Sequence, residues 1–149
     1  MILTQWHNIR FEVIGKVQGK ARPRFSRNGG KFKTYTPIKT KDYEELIKLT
    51  YRTVSNYKSD KALRMKILVY HQPAKSTTKK LLKALFEKKY LCTIKPDIDN
   101  IAKVVLDALN GVAYNDDIQI CQLAVIKEFA QTEKIVVYID EIGECKPKK

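Results

Sequence analysis

The sequence predicts an α+β fold: a single domain with a mixed β-sheet flanked by helices, its elements in the order β-α-β-α-α-β-β. Three observations predict it. The chain has 149 residues, a length that suits one domain and can bury a core without disulfide staples. Hydrophobic residues make up 44%, as in a folded globule rather than a disordered chain. Segments of alternating polarity and segments of helical spacing succeed one another with no internal repeat, low-complexity block or dividing linker, so residues 1–149 read as one domain.

The elements follow in order. IRFEVIGKV (9–17) alternates apolar and polar residues and reads as a strand. QGKARPRFSRNGGKFKTYTP (18–37) holds Gly, Pro and Ser and no acid, which predicts a long basic loop over about 18–36, or a loose hairpin turning at Asn28-Gly29-Gly30. Residues 38–58 have helical spacing, with Tyr43, Leu46, Ile47, Thr50 and Val54 along one face. ALRMKILVYH (62–71) reads as a second strand, and 76–90 as a helix capped by Ser76 or Thr77. Pro96 biases Lys95 away from helix. Asp99 is a natural N-cap for a helix over 100–110, with Ile101, Val104, Val105, Ala108 and Leu109 as its apolar face and Gly111 to end it. Residues 118–130 and 134–142 read as two strands, an antiparallel pair. The tail from 143 to 149 is polar and expected to fray.

No apolar run is long enough to span a bilayer. The opening MILTQWHNIRF lacks the basic and apolar regions of a signal peptide, so a cytoplasmic location is expected. Cys92, Cys121 and Cys145 are odd in number and match no zinc spacing; free, buried thiols are expected. The charge is more informative. Twenty-nine Lys and Arg stand against 16 Asp and Glu, a formal net charge of +13. That balance favours polyanionic partners, nucleic acid first and an acidic membrane surface second. Residues 16–41 hold nine Lys or Arg and no acid. Lys20, Arg22, Arg24, Arg27, Lys31 and Lys33 are candidate DNA contacts, interleaved with Phe25, Phe32 and Tyr35. Cations there neutralise phosphates and aromatics stack on unpaired bases; the plainer alternative is a solvated loop whose aromatics pack on the core. Lys79, Lys80, Lys83, Lys88 and Lys89 form a second basic block, which reads equally as the exposed surface of an amphipathic helix.

Against this background KPDIDNIAKVVLDALNGVAYNDDIQI (95–120) concentrates Asp97, Asp99, Asp107, Asp116 and Asp117. Asp99, Lys103 and Asp107 fall at i, i+4 and i+8, one stripe of a helix. If Asp97, Asp99 and Asp117 converge, their repulsion calls for protons or a cation. Oxygen-only ligands select hard ions, Mg²⁺ or Mn²⁺, able to hold a phosphate and activate water. Lys103 could then stabilise charge, hold a phosphate or orient a carboxylate. Simpler readings stand beside this one: Asp99 as a helix cap, Asp99–Lys103 as a surface ion pair, and Asp116-Asp117 as turn chemistry. The spacing fails as an EF-hand, since Ile101 and Ala102 occupy the places of an acid and a glycine. No Gly-rich phosphate loop or nucleophile motif is present.

The same stretch resembles the signature of the RusA family of Holliday junction resolvases: Asp-x-Asp-Asn, a Lys four residues after the second Asp, Asp-Ala-Leu, a short loop, and Asp-Asp before a strand. KARPRFSRNGGKFKTYTPIKT also resembles the basic N-terminal segment of family members from Gram-positive bacteria and their phages. The resemblance implies a Mg²⁺- or Mn²⁺-dependent endonuclease, a homodimer that nicks four-way DNA junctions in recombination and repair; it leaves open whether other branched forms are cut. By motif position it implies catalytic Asp97, Asp99, Asp117 and Lys103, with Asp97, Asp99, Asp117 and Asp116 toward the metal. The alternative is a non-catalytic module of phage origin that binds branched DNA.

Overall fold

The computed structural model describes residues 8–147; the N-terminal reading of residues 1–7 and the last two lysines lie outside it. Ten elements follow in chain order: β1 (Asn8–Ile14), β2 (Arg24–Asn28), β3 (Lys31–Tyr35), α1 (Ile38–Val54), β4 (Ala62–His71), α2 (Lys79–Phe86), α3 (Ile98–Leu109), a 3₁₀ turn (Asp117–Gln119), β5 (Ile120–Phe129) and β6 (Lys134–Gly143). The α+β class and the mixed sheet are as the sequence predicts, and the acid-free segment forms a hairpin (β2–β3) that is its own two-stranded sheet.

The main sheet has the order β1-β6-β4-β5. β6 pairs antiparallel with both β1 and β4, whereas β5 runs parallel to β4. This corrects the expected β5–β6 pair: β4 lies between them. The reason is burial. Leu63, Met65, Ile67 and Val69 of β4 are all fully enclosed, so the most deeply buried strand takes a central place with a partner on each side. The parallel β4–β5 pairing needs a crossover, supplied by the segment containing α2 and α3. Ala130 N–H donates to the His71 carbonyl at 2.9 Å where the chain leaves β5.

Strand alternation builds a two-layer domain. Phe11 and Val13 of β1, the four β4 residues, and Ile135, Val137 and Ile139 of β6 point to one face, where α1 and α3 cover them. The other face carries ion pairs, Arg64–Asp140 at 2.9 Å and Lys134–Glu12 at 3.2 Å. α3 buries the apolar set expected of it. α1 is rotated from expectation: it buries Thr40, Tyr43, Ile47 and Tyr51, while Leu46 and Val54 are exposed. The i, i+4, i+8 row of Tyr43, Ile47 and Tyr51 is one ridge of a helix, and Tyr51 meets Phe11 edge-on at 5.8 Å. α1 also stops at Val54, where the Tyr51 hydroxyl donates to the Tyr57 carbonyl and turns the chain back.

Other boundaries move for local reasons. α2 is capped by Thr78, which accepts from Leu81 N–H at 3.3 Å, rather than by Ser76 or Thr77. It buries no residue, in keeping with a solvated lysine helix. The tail is tied at its start, since Lys61 pairs with Glu144 at 2.9 Å. All three cysteines are free, but only Cys92 is buried; Cys121 and Cys145 are exposed. No helix among the described residues is long and apolar enough to cross a membrane.

Candidate active site

Pro96 precedes the start of α3, and the N-cap is Asp97, not Asp99. The Asp97 side chain makes no capping hydrogen bond; its carbonyl accepts from Ile101 N–H at 3.1 Å. Asp99 sits in the first turn, where a negative charge suits the positive end of the helix. Both carboxylates are exposed. The loop that carries Asp97 is held from two sides. Lys127 of β5 donates to the carbonyls of Ile94 and, at 3.0 Å, of Pro96. On the other side Lys20 N–H donates to the Asn100 carbonyl at 2.9 Å. Gly19 packs so closely that a Cβ there would stand 2.8 Å from Cβ of Pro96 and 3.0 Å from that of Asn100.

One turn further along α3, Lys103 pairs with Asp107 at 3.6 Å, rather than with Asp99 as the surface-pair reading had it. Asp107 also receives Lys20 at 2.9 Å, and Lys20 reaches Glu44 of α1 as well. The Lys20 side chain is 17% exposed. Burial works against its charge, yet Glu44 and Asp107 outweigh that and hold its pKa above the ordinary lysine value. Lys20, expected at DNA, is therefore an ion-pair bridge between α1 and α3. Its engagement went unseen in the sequence because Glu44 and Asp107 are distant in the chain.

Asp116 and Asp117 divide their tasks. Asp116 caps the 3₁₀ turn, accepting from Ile118 N–H at 3.1 Å, which is the turn chemistry foreseen for it. Gln119 completes the box: its Oε1 accepts from Asn115 and Asp116 N–H at 2.8 and 3.0 Å, while its Nε2 donates to the Ser59 and Lys61 carbonyls at 3.0 and 2.9 Å. This buried glutamine fixes the turn to the chain ahead of β4, and the sequence reading missed it. Asp117 is left half-buried. A hydrogen bond with Asp116, then desolvation and the charges of Asp116 and Asp107, push its carboxyl above the ordinary range; Lys103 pulls the other way.

The acids thus form two groups. Asp107, Asp116 and Asp117 share one electrostatic neighbourhood with Lys103; Asp97 and Asp99 stand at the start of α3. Among the described residues no three His, Cys, Asp or Glu side chains gather closely enough to hold one ion, so the expected convergence of Asp97, Asp99 and Asp117 is not seen. Arg24, Arg27, Lys31 and Lys33 lie on the hairpin and Arg22 just before it, all exposed and apart from these acids in sequence. The hairpin aromatics do not pack on the core: Phe25 is 74% and Phe32 73% exposed.

Fold and site together define a strongly basic α+β domain that sets five aspartates, Asp97, Asp99, Asp107, Asp116 and Asp117, on or close to a single helix, an arrangement suited to handling polyanions. A family model described as Endodeoxyribonuclease RusA matches residues 15–140, and the chain belongs to that family of endodeoxyribonucleases. It is also 32% identical over 141 residues, covering 91% of this chain and 97% of the relative, to the uncharacterized protein YqaN of Bacillus subtilis (strain 168).

Proposed function

We propose that this protein is a divalent-metal-dependent endonuclease that resolves four-way DNA junctions by paired phosphodiester hydrolysis, acting as a homodimer in cytoplasmic recombination and repair. The observation that carries the reading is the family match across residues 15–140, which includes every acid of the 95–120 stretch. The donor set fits a hard cation. It is all oxygen, Asp97 and Asp99 are exposed, and Asp117 is crowded by Asp116 and Asp107, whose hydrogen bond and charges push its carboxyl upward against the pull of Lys103.

In this reading Asp97, Asp99 and Asp117, which stand in two groups without the ion, would hold Mg²⁺ or Mn²⁺ between them. Asp116 serves mainly to fix the turn, because one of its oxygens already caps Ile118. The bound ion supplies Lewis acidity toward phosphate oxygen and water. Lys103, whose side chain is 63% exposed, meets a phosphate oxygen and stabilises negative charge there. Asp107 holds Lys103 on its stripe of α3, and Lys20 and Glu44 fix Asp107 from α1. The basic hairpin gathers DNA through its exposed cations.

Cleavage of a synthetic four-way junction, set against a linear duplex of the same sequence, tests the reading. The series runs with Mg²⁺, Mn²⁺, Ca²⁺ and EDTA at fixed salt, with Asp99→Asn as control. Paired nicks on the junction alone, needing Mg²⁺ or Mn²⁺ and lost in the variant, are expected. Wild-type cutting by Asp99→Asn would remove Asp99 from the site. The second reading, a binding module, draws on the separation of Asp97 and Asp99 from the Asp117 group; junction binding without nicking under any of these ions would establish it.

A further inference from the structure

The hairpin has a feature that phosphate binding leaves unused. Every residue of β2 and β3 is exposed, so the hairpin owes its shape to its own ladder and turn. Gly29 and Gly30 at φ 58° and 80° make the two-residue turn that matches strand twist. The register sets Arg24 opposite Tyr35, Ser26 opposite Lys33 and Asn28 opposite Lys31, which places these six on one face. Phe25 opposite Thr34 and Arg27 opposite Phe32 make the other. One face is thus cationic, and the other presents two open phenyl rings with the Arg27 guanidinium 5.8 Å from the Phe32 ring centre.

Phenyl rings cannot read base edges, since they neither donate nor accept hydrogen bonds. They can only stack or fill space. Within a duplex the base faces are already covered by their neighbours, and they become available where stacking is interrupted. The occupant must also tolerate the exposed cations Arg22, Arg24, Arg27, Lys31 and Lys33 with no acid among residues 22–36, which disfavours a second copy of this basic surface and favours nucleic acid.

We propose that Phe25 and Phe32 stack on bases exposed at the branch point of a DNA junction, with Arg24, Lys31 and Lys33 binding the adjoining phosphates from the opposite face. This rests on the junction-DNA reading above and adds a device for selecting branched over linear DNA. Aromatic–base stacking of about 1–3 kcal/mol per base corresponds to roughly a 5- to 150-fold change in affinity per ring.

The test uses the full chain, a junction with 2-aminopurine at the branch point, and a linear duplex of the same sequence, in EDTA at fixed salt. Wild type is expected to raise 2-aminopurine fluorescence. The double variant Phe25→Ala/Phe32→Ala is expected to lose that rise and at least tenfold in junction affinity, with duplex affinity within twofold. Phe25→Tyr/Phe32→Tyr should restore both, and melting temperature should not move, because the rings touch no core. Equal loss on junction and duplex would overturn the proposal, as would a fluorescence rise that survives the alanines. A dimer that dissociates in the variant with an unchanged junction-to-duplex ratio would assign the rings to a subunit interface and also overturn it. So would loss of binding to anionic vesicles with junction binding intact. If wild type cuts junctions and the alanine variant matches it throughout, this inference alone falls; if wild type binds no junction, it falls together with the junction reading.

Discussion

Replacing Gly19 by alanine is a small change with a calculable consequence. The added Cβ would meet Cβ of Pro96 at 2.8 Å and Cβ of Asn100 at 3.0 Å. Carbon atoms pack best at about 3.5–4.0 Å, so one side must retreat by roughly 0.5–1 Å. Neither opposing atom can rotate away, since both are bonded directly to Cα. The retreat therefore falls on backbone, and Pro96 and Asn100 bracket Asp97 and Asp99. Overpacking of this kind costs about 1–3 kcal/mol, which for a chain this long lowers the melting temperature by about 2–12 °C. A displacement approaching 1 Å at catalytic groups costs on the order of 100-fold in rate, so junction nicking should fall further than stability alone explains. Thermal melting and single-turnover nicking at saturating Mg²⁺ measure the two effects. Gly143, with nothing within 4 Å of its would-be Cβ, is the control and should accept alanine silently. A Gly19→Ala protein that melts within about 1 °C of wild type and cuts at the wild-type rate would refute the close-approach argument.

Two further outcomes are expected. Lys127→Met strips the Ile94 and Pro96 carbonyls of their shared charged donor; discounted for partial exposure, the loss is about 1–2 kcal/mol. Amide exchange across 95–99 should quicken and more Mg²⁺ should be needed for half-maximal nicking, while unchanged exchange would deny Lys127 this positioning role. His71 is buried with Nδ1 3.6 Å from Glu133; desolvation lowers its pKa below 6.5, helped by Lys127 and opposed by Glu133. The unfolded chain therefore takes up this proton before the folded one does. Its contribution to stability is complete above about pH 6.5 and is lost as the pH falls below that value toward the folded pKa. Urea midpoints across that range should drop more for wild type than for His71→Gln, and parallel curves would count against it.

What the sequence disclosed depended on how local the determinants are. α3 could be read almost residue by residue, because its apolar stripe recurs every three or four positions and Gly111 closes it. β4 matched to its end residues because alternation is a local property. The order of strands could not be read: β5 and β6 are separated by only a short turn, yet the strand between them comes from much earlier in the chain. α1 misled because Leu46 and Val54 look like core residues, and only packing against Phe11 reveals that Tyr51 takes that place. The site divides in the same way. The positions of the acids are written in the motif, but Lys20 with Glu44, Lys127 with the Pro96 loop, and Gln119 with Ser59 are partnerships across long stretches of chain. Periodicity cannot register them.

The hairpin's isolation has an evolutionary corollary. A segment that contributes nothing to the buried interior is released from the volume constraints that govern α1, α3 and the sheet. Substitutions at Phe25, Arg27 or Lys33 leave the buried core untouched, so selection can judge them on the hairpin itself and on contacts outside the molecule. The start of α3 has no such freedom, because Gly19, Pro96 and Asn100 interlock. Within one small domain, the hairpin surface is therefore free to vary in sequence while the packing around Pro96 is held.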